Sequence, residues 1–364
     1  METNIINELL NGKTVAVSTE DDFLSSVKEI EKSTKYSHVK ISEMNFAGDE
    51  DNIFKSEAPL VDGFTIDCGK SIGKTFNCLT YAVKTACDRL GISGPVLSRF
   101  SNKKLANILN QCSEEYKNDE EVLIVSLPDS DNNCCIAVLS DGYRVLPANE
   151  VFKEASGEIK NLGGYFTDGY INTDIFYALY QINNKELENI YKDKFEELSK
   201  GVPMISIETS NTGLSSVSIT PKFRMRDIDL IIGRPFKTLH KGESDIDSVK
   251  EDIKQIFPMF KEAIDGLSRL KKIRIENPLF CFKNIAKKVL LPKKYSMMAA
   301  DDFCNFIDDS EITAYDIYFA LAEVVFYAEN DNRPKLFLNN LQEQIARALY
   351  LDFSKYDTPY SDWK

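Results

Sequence analysis

The chain has 364 residues, of which 43% are hydrophobic and 28% charged, and its formal net charge is −13. A chain of this length and apolar content can bury a substantial core and is long enough for two domains. The negative charge argues against a protein that coats nucleic acid indiscriminately, because such binding depends on many Lys and Arg contacts to phosphates.

The compartment is inferred from the N-terminal segment and the cysteines. The chain begins without the basic end and apolar block of a secretion signal, and no apolar run reaches the roughly eighteen residues of a membrane span. We therefore expect a cytoplasmic protein that contacts no membrane and whose eight cysteines are free thiols. No C-x-x-C pair occurs, and only His38 and His240 can supply imidazole. The sequence thus predicts no metal site and no cofactor.

Helices and strands are mixed in the first two thirds of the chain. Capping residues and helical periodicity predict helices at 20–33 (capped by Thr19), 75–90, 102–116, from 147 onward, and 184–200. Aliphatic and β-branched residues predict strands at 121–127 and 134–140, and two or three more within 202–232. Cys134 and Cys135 should point to opposite faces of their strand.

The dipeptide Asp141-Gly142 predicts a type I′ hairpin turn into a strand over residues 143–147. Together with separate helices, antiparallel hairpins are typical of an α+β fold rather than of a regular βαβ succession. The sequence therefore predicts an α+β region of mixed helices and antiparallel strands over residues 1–240.

Helical periodicity predominates after residue 240. It covers residues 248–291, with Pro258 and Pro278 as interruptions. Thr313 and Asp316 have the spacing of a capping box before a long apolar helix. Pro334 can begin the last helix, whose apolar stripe is Leu338, Leu341, Ile345 and Leu349. We expect this mainly helical region, residues 241–364, to pack on the first.

Residues 67–77, DCGKSIGKTFN, resemble a phosphate-binding loop in composition. A P-loop has the pattern G-x-x-x-x-G-K-[ST]. Its second half is present at Gly73, Lys74 and Thr75, with Lys70 as a further cation, but Cys68 occupies the place of the first glycine. One interpretation is a degenerate nucleotide site in which Asp129 or Asp131 holds magnesium. The other is a helix start at which Ser71 or Thr75 is the cap, with room for at most a lone anion.

Two further sets of residues have side chains of the types that chemical sites use. Cys68 or Cys78 with His240 would be a thiol and a base, but no protease signature surrounds them, and packing is the ordinary role of such cysteines. Four acids could gather a divalent cation, although they lack the spacing of a calcium loop and also suit a solvated surface: Asp301, Asp302, Asp308 and Asp309.

The positive charge is concentrated in one part of the chain. Residues 222–294 contain 18 Lys and Arg against 10 Asp and Glu. The densest part holds nine basic residues and only one acid, Glu276; they are Arg269, Lys271, Lys272, Arg274, Lys283, Lys287, Lys288, Lys293 and Lys294. These are candidates for nucleic-acid or anion binding, with Phe280, Phe282 and Tyr295 placed to stack on bases. The alternative is a solvated helix face that neutralises neighbouring acids.

Three stretches resemble a phage and plasmid-like family, domain of unknown function 932. They are ACDRLGISGPVLSRFSNKKLANILNQC, AVLSDGYRVLPANEVF and, less closely, ITAYDIYFALAEVVFYAEN. The likeness extends loosely over residues 75–330. It departs from the family pattern where residues 93–95 replace the usual proline step, and where residues 319–323 keep only part of the late motif. The resemblance implies a mobile genetic element, hence the host cytoplasm, but it implies no activity and no catalytic residues.

These observations lead to one principal hypothesis and two alternatives. The principal one is a non-enzymatic binding protein of a phage or mobile element that acts as a homo-oligomer on single-stranded nucleic acid. The first alternative is an inhibitor or sequestering protein that binds a host protein, steered by the acidic remainder of the surface. The second is an NTPase or phosphoryl-transfer enzyme centred on residues 67–77.

Overall fold

A computed structural model describes the fold. The described residues are 5–54, 60–92, 94–116, 120–128, 133–192, 202–225, 228–232, 235–238, 246–306, 311–361 and 363. Within them, no helix combines the length and the apolar character that crossing a membrane requires.

Sheet I has six strands and is formed by the first part of the chain. In spatial order they are β2 (Lys35–Lys40), β6 (Glu121–Pro128), β7 (Asn133–Ser140), β5 (Thr75–Leu79), β4 (Leu60–Asp67) and β3 (Asn45–Gly48). Neighbouring strands are antiparallel except β7 and β5, which pair in parallel through Phe76 to Cys78 and Asn133 to Cys135. Sheet I is therefore mixed.

Sheet II has seven strands, all paired antiparallel. In spatial order they are β1 (Val15–Val17), β8 (Gly164–Ile171), β9 (Phe176–Ile182), β10 (Val202–Thr209), β11 (Val217–Met225) and β12 (Ile228–Ile231), with β13 (Phe236–Thr238) also paired to β11. Residues 210–216, which include Asn211 and Gly213, join β10 to β11.

The helices lie between and after the strands. They are α1 (Ile5–Leu10), α2 (Glu20–Ser33), α3 (Gly69–Ile72), α4 (Thr80–Arg89), α5 (Asn102–Glu114), α6 (Ala148–Asn161), α7 (Lys185–Lys192), α8 (Ile246–Lys254), α9 (Ile256–Leu270), α10 (Pro278–Lys288), α11 (Lys293–Phe306), α12 (Ala314–Ala320), α13 (Glu323–Asn330) and α14 (Lys335–Ala348). Short 3₁₀ turns occur at Ile41–Glu43, Pro95–Arg99 and Phe353–Lys355. Two sheets with a helical final third confirm the predicted α+β class.

Sheet I separates two apolar cores. Successive side chains of a strand point to opposite faces, so Leu123 and Val125 enter the first core, while Val122 and Ile124 enter the second. Cys134 and Cys135 divide in the same way, as predicted. All eight cysteines are free thiols.

The first core also joins the two regions of the chain. It contains apolar residues from α2, α6 and sheet II as well as from α9 to α14. The rings of Phe223 and Phe260 meet edge to face at 5.5 Å, and the Tyr318 hydroxyl donates to the Ile231 carbonyl at 2.9 Å. The C-terminal helices thus pack directly on sheet II.

Several predicted helix ends are confirmed because local capping determines them. Thr19 caps α2, with its hydroxyl accepting from the Asp22 amide at 3.2 Å. Thr313 and Asp316 form the predicted capping box of α12. The helix after it divides at residues 321–322 into α12 and α13. The stripe of the last helix, Leu338, Leu341, Ile345 and Leu349, is buried.

Two predictions are wrong where strand pairing decides the structure. Residues 75–79 form β5 between β4 and β7, so the predicted helix begins only at Thr80. Asp141 and Gly142 do form a turn, in which the Tyr143 amide donates to the Ser140 carbonyl at 2.9 Å, but neither residue has the positive φ of the predicted type I′ turn. No strand follows over residues 143–147, because β6 pairs with one edge of β7 and, toward its C-terminal end, α4 covers the other edge, where the Thr85 hydroxyl accepts from the Val138 amide at 2.8 Å.

Candidate functional site

The glycine- and lysine-rich segment is a connection between two antiparallel strands. It leaves β4 at Asp67, passes through the four-residue helix α3 and enters β5 at Thr75. Gly73 ends α3 in the left-handed conformation, with φ of 67°. A P-loop instead needs a long helix directly after the loop.

Several polar groups of this segment already have hydrogen-bond partners, although the Lys70 side chain is exposed. The Asp67 carboxylate accepts from the Gly69 amide at 3.0 Å and from the Thr75 hydroxyl at 3.1 Å. The Cys68 amide donates to the Lys74 carbonyl at 2.8 Å. A carboxylate at this point repels phosphate, so the geometry favours a structural turn over a nucleotide site. Asp129 and Asp131, proposed as magnesium ligands, lie outside the described residues.

The cysteines considered as nucleophiles are buried. Burial raises the pKa of the Cys68 thiol to about 12, with the nearby Asp67 charge adding to the shift, and burial also raises the pKa of the Cys78 thiol well above its usual value. Because the thiolate is the reactive form, neither cysteine is activated as a nucleophile. His240, their proposed base, lies outside the described residues.

The predicted acidic cluster is only partly described. Asp301 and Asp302 lie within α11, where the Asp302 carboxylate accepts from the Tyr327 hydroxyl. Asp308 and Asp309 lie outside the described residues.

Eight of the nine predicted basic residues fall into two groups at opposite ends of α10, and Lys283 lies between them within the helix. Arg269, Lys271, Lys272 and Arg274 precede its first residue, whereas Lys287 and Lys288 occupy its last turn. Lys293 and Lys294 begin α11 directly after the connecting turn. Since α10 has 11 residues, the two groups are about 16 Å apart along its axis.

Most residues of the first group have partners within the fold. Arg269 donates to the Leu349 carbonyl at 2.9 Å, and the Arg274 guanidinium lies 2.9 Å from the Glu311 carboxylate. The Lys271 ammonium lies 4.9 Å from the centre of the Tyr315 ring. Only Lys272 is exposed with no carboxylate near it among the described residues. This group is therefore a poor candidate for phosphate binding.

The second group surrounds an unusual turn. The Leu291 amide donates to the Ala286 carbonyl and the Leu290 amide to the Lys287 carbonyl, at 2.9 and 3.1 Å, which is a Schellman ending of α10. Leu290 is in the left-handed conformation, with φ of 65°, at the position where glycine is usual. Its side chain is 71% exposed.

The lysines around this turn differ in their partners. Lys294 pairs with Asp331 and lies 5.1 Å from the centre of the Tyr295 ring. Lys287, Lys288 and Lys293 are exposed, and within the described part of the chain no carboxylate lies at salt-bridge distance from Lys288 or Lys293.

The aromatic residues proposed for stacking are not equivalent. Phe282 is fully buried and its ring stacks on Phe303 at 5.8 Å, and Tyr295 is 5% exposed. The prediction that bases stack on these two rings is therefore wrong. Phe280 is 36% exposed. Positions 280, 283 and 287 share one side of α10. We define the tip surface as Phe280, Lys283, Lys287, Lys288, Leu290 and Lys293.

Sequence reasoning missed a buried polar cluster between sheet II and α14. Lys222 is 3% exposed; its ammonium donates to the Tyr177 hydroxyl at 3.1 Å and to the Gln342 side-chain oxygen at 3.2 Å. Burial raises the pKa of the Glu208 carboxyl, although bonds from Ser215 and Asn339 oppose the shift. Alternation along β10 and β11 was the available signal, because it places both residues opposite the first core.

No family model matches the chain, and neither a curated protein nor a solved structure matches it. The resemblance to the phage and plasmid-like family therefore stays a prediction.

Proposed function

We propose that this chain is a non-enzymatic binding protein whose tip surface contacts the phosphates of single-stranded nucleic acid. The observation that carries the proposal is the turn between α10 and α11. Two locally unfavourable choices coincide there, an exposed left-handed Leu290 and a cation at the start of a helix.

The first choice is the conformation of Leu290. The left-handed region costs a side-chain-bearing residue about 1 to 2 kcal/mol, and glycine would avoid this cost at the same turn. The side chain gains little from burial in return, since it is 71% exposed. Strained residues tend to cluster at binding sites, and an exposed apolar side chain can pack against an unstacked base.

The second choice is the position of Lys293. The N-terminus of a helix carries partial positive charge, so lysine is disfavoured in the first turn. Lys287 and Lys288 in the last turn of α10 can be explained by the opposite end of the helix dipole. The position of Lys293 cannot be explained in this way, because Lys293 lies at the positive end of α11. The first turn of α11 also contains no acid that would balance the lysine. A bound anion would offset this cost.

Phe280 and Lys283 extend the tip surface along α10. A partly exposed aromatic ring beside lysines provides both stacking and charge, the two contributions that single-stranded nucleic acid binding uses. The N-terminal end of α10 is closed to an anion, because the Asp357 carboxylate accepts from the amides of Glu276 and Asn277 at 2.8 and 2.7 Å. Binding is therefore confined to the outer side and C-terminal end of the helix.

The deciding experiment measures binding of labelled single-stranded DNA and RNA by anisotropy across a salt series. The variant Lys287→Gln/Lys288→Gln/Lys293→Gln should weaken binding and reduce the slope of log affinity against log salt by about 2, since each phosphate contact contributes about 0.7. A matched control, Lys28→Gln/Lys70→Gln/Lys74→Gln, removes the same charge elsewhere and should bind as the unchanged protein does.

Two outcomes would overturn the proposal. Absence of binding at low salt would exclude nucleic acid as the ligand, and equal losses in both triple variants would exclude the tip surface. In the first case a host protein becomes the preferred partner, to be sought by pull-down after nuclease treatment. An origin in a mobile element and action as a homo-oligomer belong to the same proposal, and light scattering tests the latter.

A further inference from the structure

Three potential metal ligands from separate strands converge on one face of sheet I. His38 lies on β2, Glu121 on β6, and Asp141 directly follows β7. Lys40 pairs with Glu121, and Val122 pairs with Ser140, so Glu121 and Asp141 occupy the same row across the sheet. Alternation of side chains places all three residues on the face that also presents Leu123 and Leu139.

The ligand atoms of these residues are close together. The His38 Nδ1 lies 2.7 Å from a carboxylate oxygen of Asp141, although β6 runs between their strands. One ligand atom from each residue lies within 4.8 Å of the other two. Two zinc ligands at about 2.1 Å from the ion are at most about 4 Å apart. Because all three side chains are exposed, rotation about their side-chain bonds can close the remaining gap.

We propose that His38, Glu121 and Asp141 bind a divalent transition-metal ion of the zinc type. One imidazole and two carboxylates are accepted zinc donors, and three protein ligands leave the fourth position to water. A surface ion pair between His38 and Asp141 alone would contribute little to stability and would not involve Glu121. The competing cation is Lys40, the register partner of Glu121. The site lies on sheet I, so it does not depend on the proposed nucleic-acid function.

The experiment is a titration with Zn²⁺ by calorimetry and with Co²⁺ by visible absorption. It uses the full chain carrying Cys304→Ser, because Cys304 is an exposed thiol that can bind metal by itself. We expect one ion per chain. His38→Ala, Glu121→Gln and Asp141→Asn should each weaken binding more than tenfold, since loss of even an outer partner of a metal ligand costs about 10- to 100-fold.

The chain offers a matched control, because it contains only two histidines. His240→Ala should leave the affinity unchanged, and Lys40→Gln should increase it by removing the competing cation. The proposal is overturned if no saturable binding occurs, if the two histidine variants behave alike, or if Glu121→Gln binds as tightly as the parent protein. Far-UV circular dichroism of each variant shows whether a loss of binding reflects loss of the fold.

Discussion

Two lysine-rich segments of this protein have different structural roles. In residues 67–77 the Asp67 carboxylate accepts the nearby amide and hydroxyl, and the segment connects two strands of sheet I. At the tip surface, lysines lie at the exposed junction of two helices beside an exposed leucine. Both segments contain exposed lysines, Lys70 in the first and Lys288 and Lys293 in the second, but the first also contains the Asp67 carboxylate within its turn. We therefore assign the proposed anion binding to the helix junction rather than to the strand connection.

The largest expected effect separates a structural aromatic residue from a binding one. Phe76 in the first segment is 1% exposed, so Phe76→Ala should lower the free energy of unfolding by about 3 to 5 kcal/mol. Phe280→Ala should lower it by about 1 kcal/mol or less but weaken nucleic-acid binding by about 1 to 3 kcal/mol. Urea unfolding and anisotropy measure the two quantities. A loss of stability in Phe280→Ala equal to that in Phe76→Ala would remove the distinction.

The next prediction tests whether Asp67 is a structural acceptor. Asp67→Ala leaves the Gly69 amide and the Thr75 hydroxyl without this partner and should cost about 1 to 2 kcal/mol of unfolding free energy. Lys74→Ala, in the same segment, should change stability by no more than about 0.5 kcal/mol. If Asp67→Ala instead leaves stability unchanged and creates phosphate binding, the segment has a latent anion site and the comparison must be revised.

A smaller effect of opposite sign is expected at the tip surface. Leu290→Gly removes a side chain from a left-handed residue and should raise the free energy of unfolding by about 0.5 to 1 kcal/mol while weakening nucleic-acid binding. Asn332 is the other left-handed non-glycine among the described residues, with φ of 53°. Because asparagine tolerates this region, Asn332→Gly should gain less. Destabilisation by Leu290→Gly would show that the leucine serves the fold rather than binding.

The smallest effect concerns the buried polar cluster between sheet II and α14, which contains Lys222 and Glu208. Burial raises the pKa of the Glu208 carboxyl above its usual 4.5. At pH values just above 4.5, the folded protein therefore keeps a proton on Glu208 that the unfolded chain has released. This contribution to stability is present at low pH and decreases as pH rises above about 4.5. Glu208→Gln should therefore become more stable relative to the parent between pH 4.5 and 7, as measured by urea unfolding at each pH. A parallel pH dependence in both proteins would contradict it.

The predicted site shows how far sequence reasoning extends. The sequence predicted the concentration of positive charge in residues 269–294, and Lys287, Lys288 and Lys293 are exposed in the structure. The sequence could not predict that Arg269 bonds to Leu349 or that Arg274 pairs with Glu311, because the partners are distant in the chain. The burial of Phe282 could not be predicted either, since an aromatic residue on a short helix can lie in a core or on a surface.

The His38, Glu121 and Asp141 cluster had no sequence signal. Metal motifs are recognised by short spacing, whereas these residues come from strands that only sheet I brings together. The expectation of no metal site was based on the lack of a C-x-x-C pair and on the presence of only two histidines, and the proposed site is the direct alternative to it.

By itself the sequence determined the α+β class, the capped ends of α2 and α12, and the buried stripe of α14. The helix caps and the apolar stripe depend on residues within one or two helical turns of each other, so the local chain contains all the necessary partners. Tertiary structure decided that residues 75–79 form a strand, that residues 143–147 do not, and which lysines face solvent. Strand pairing and exposure depend on segments far apart in the chain, whose contacts exist only after folding brings them together.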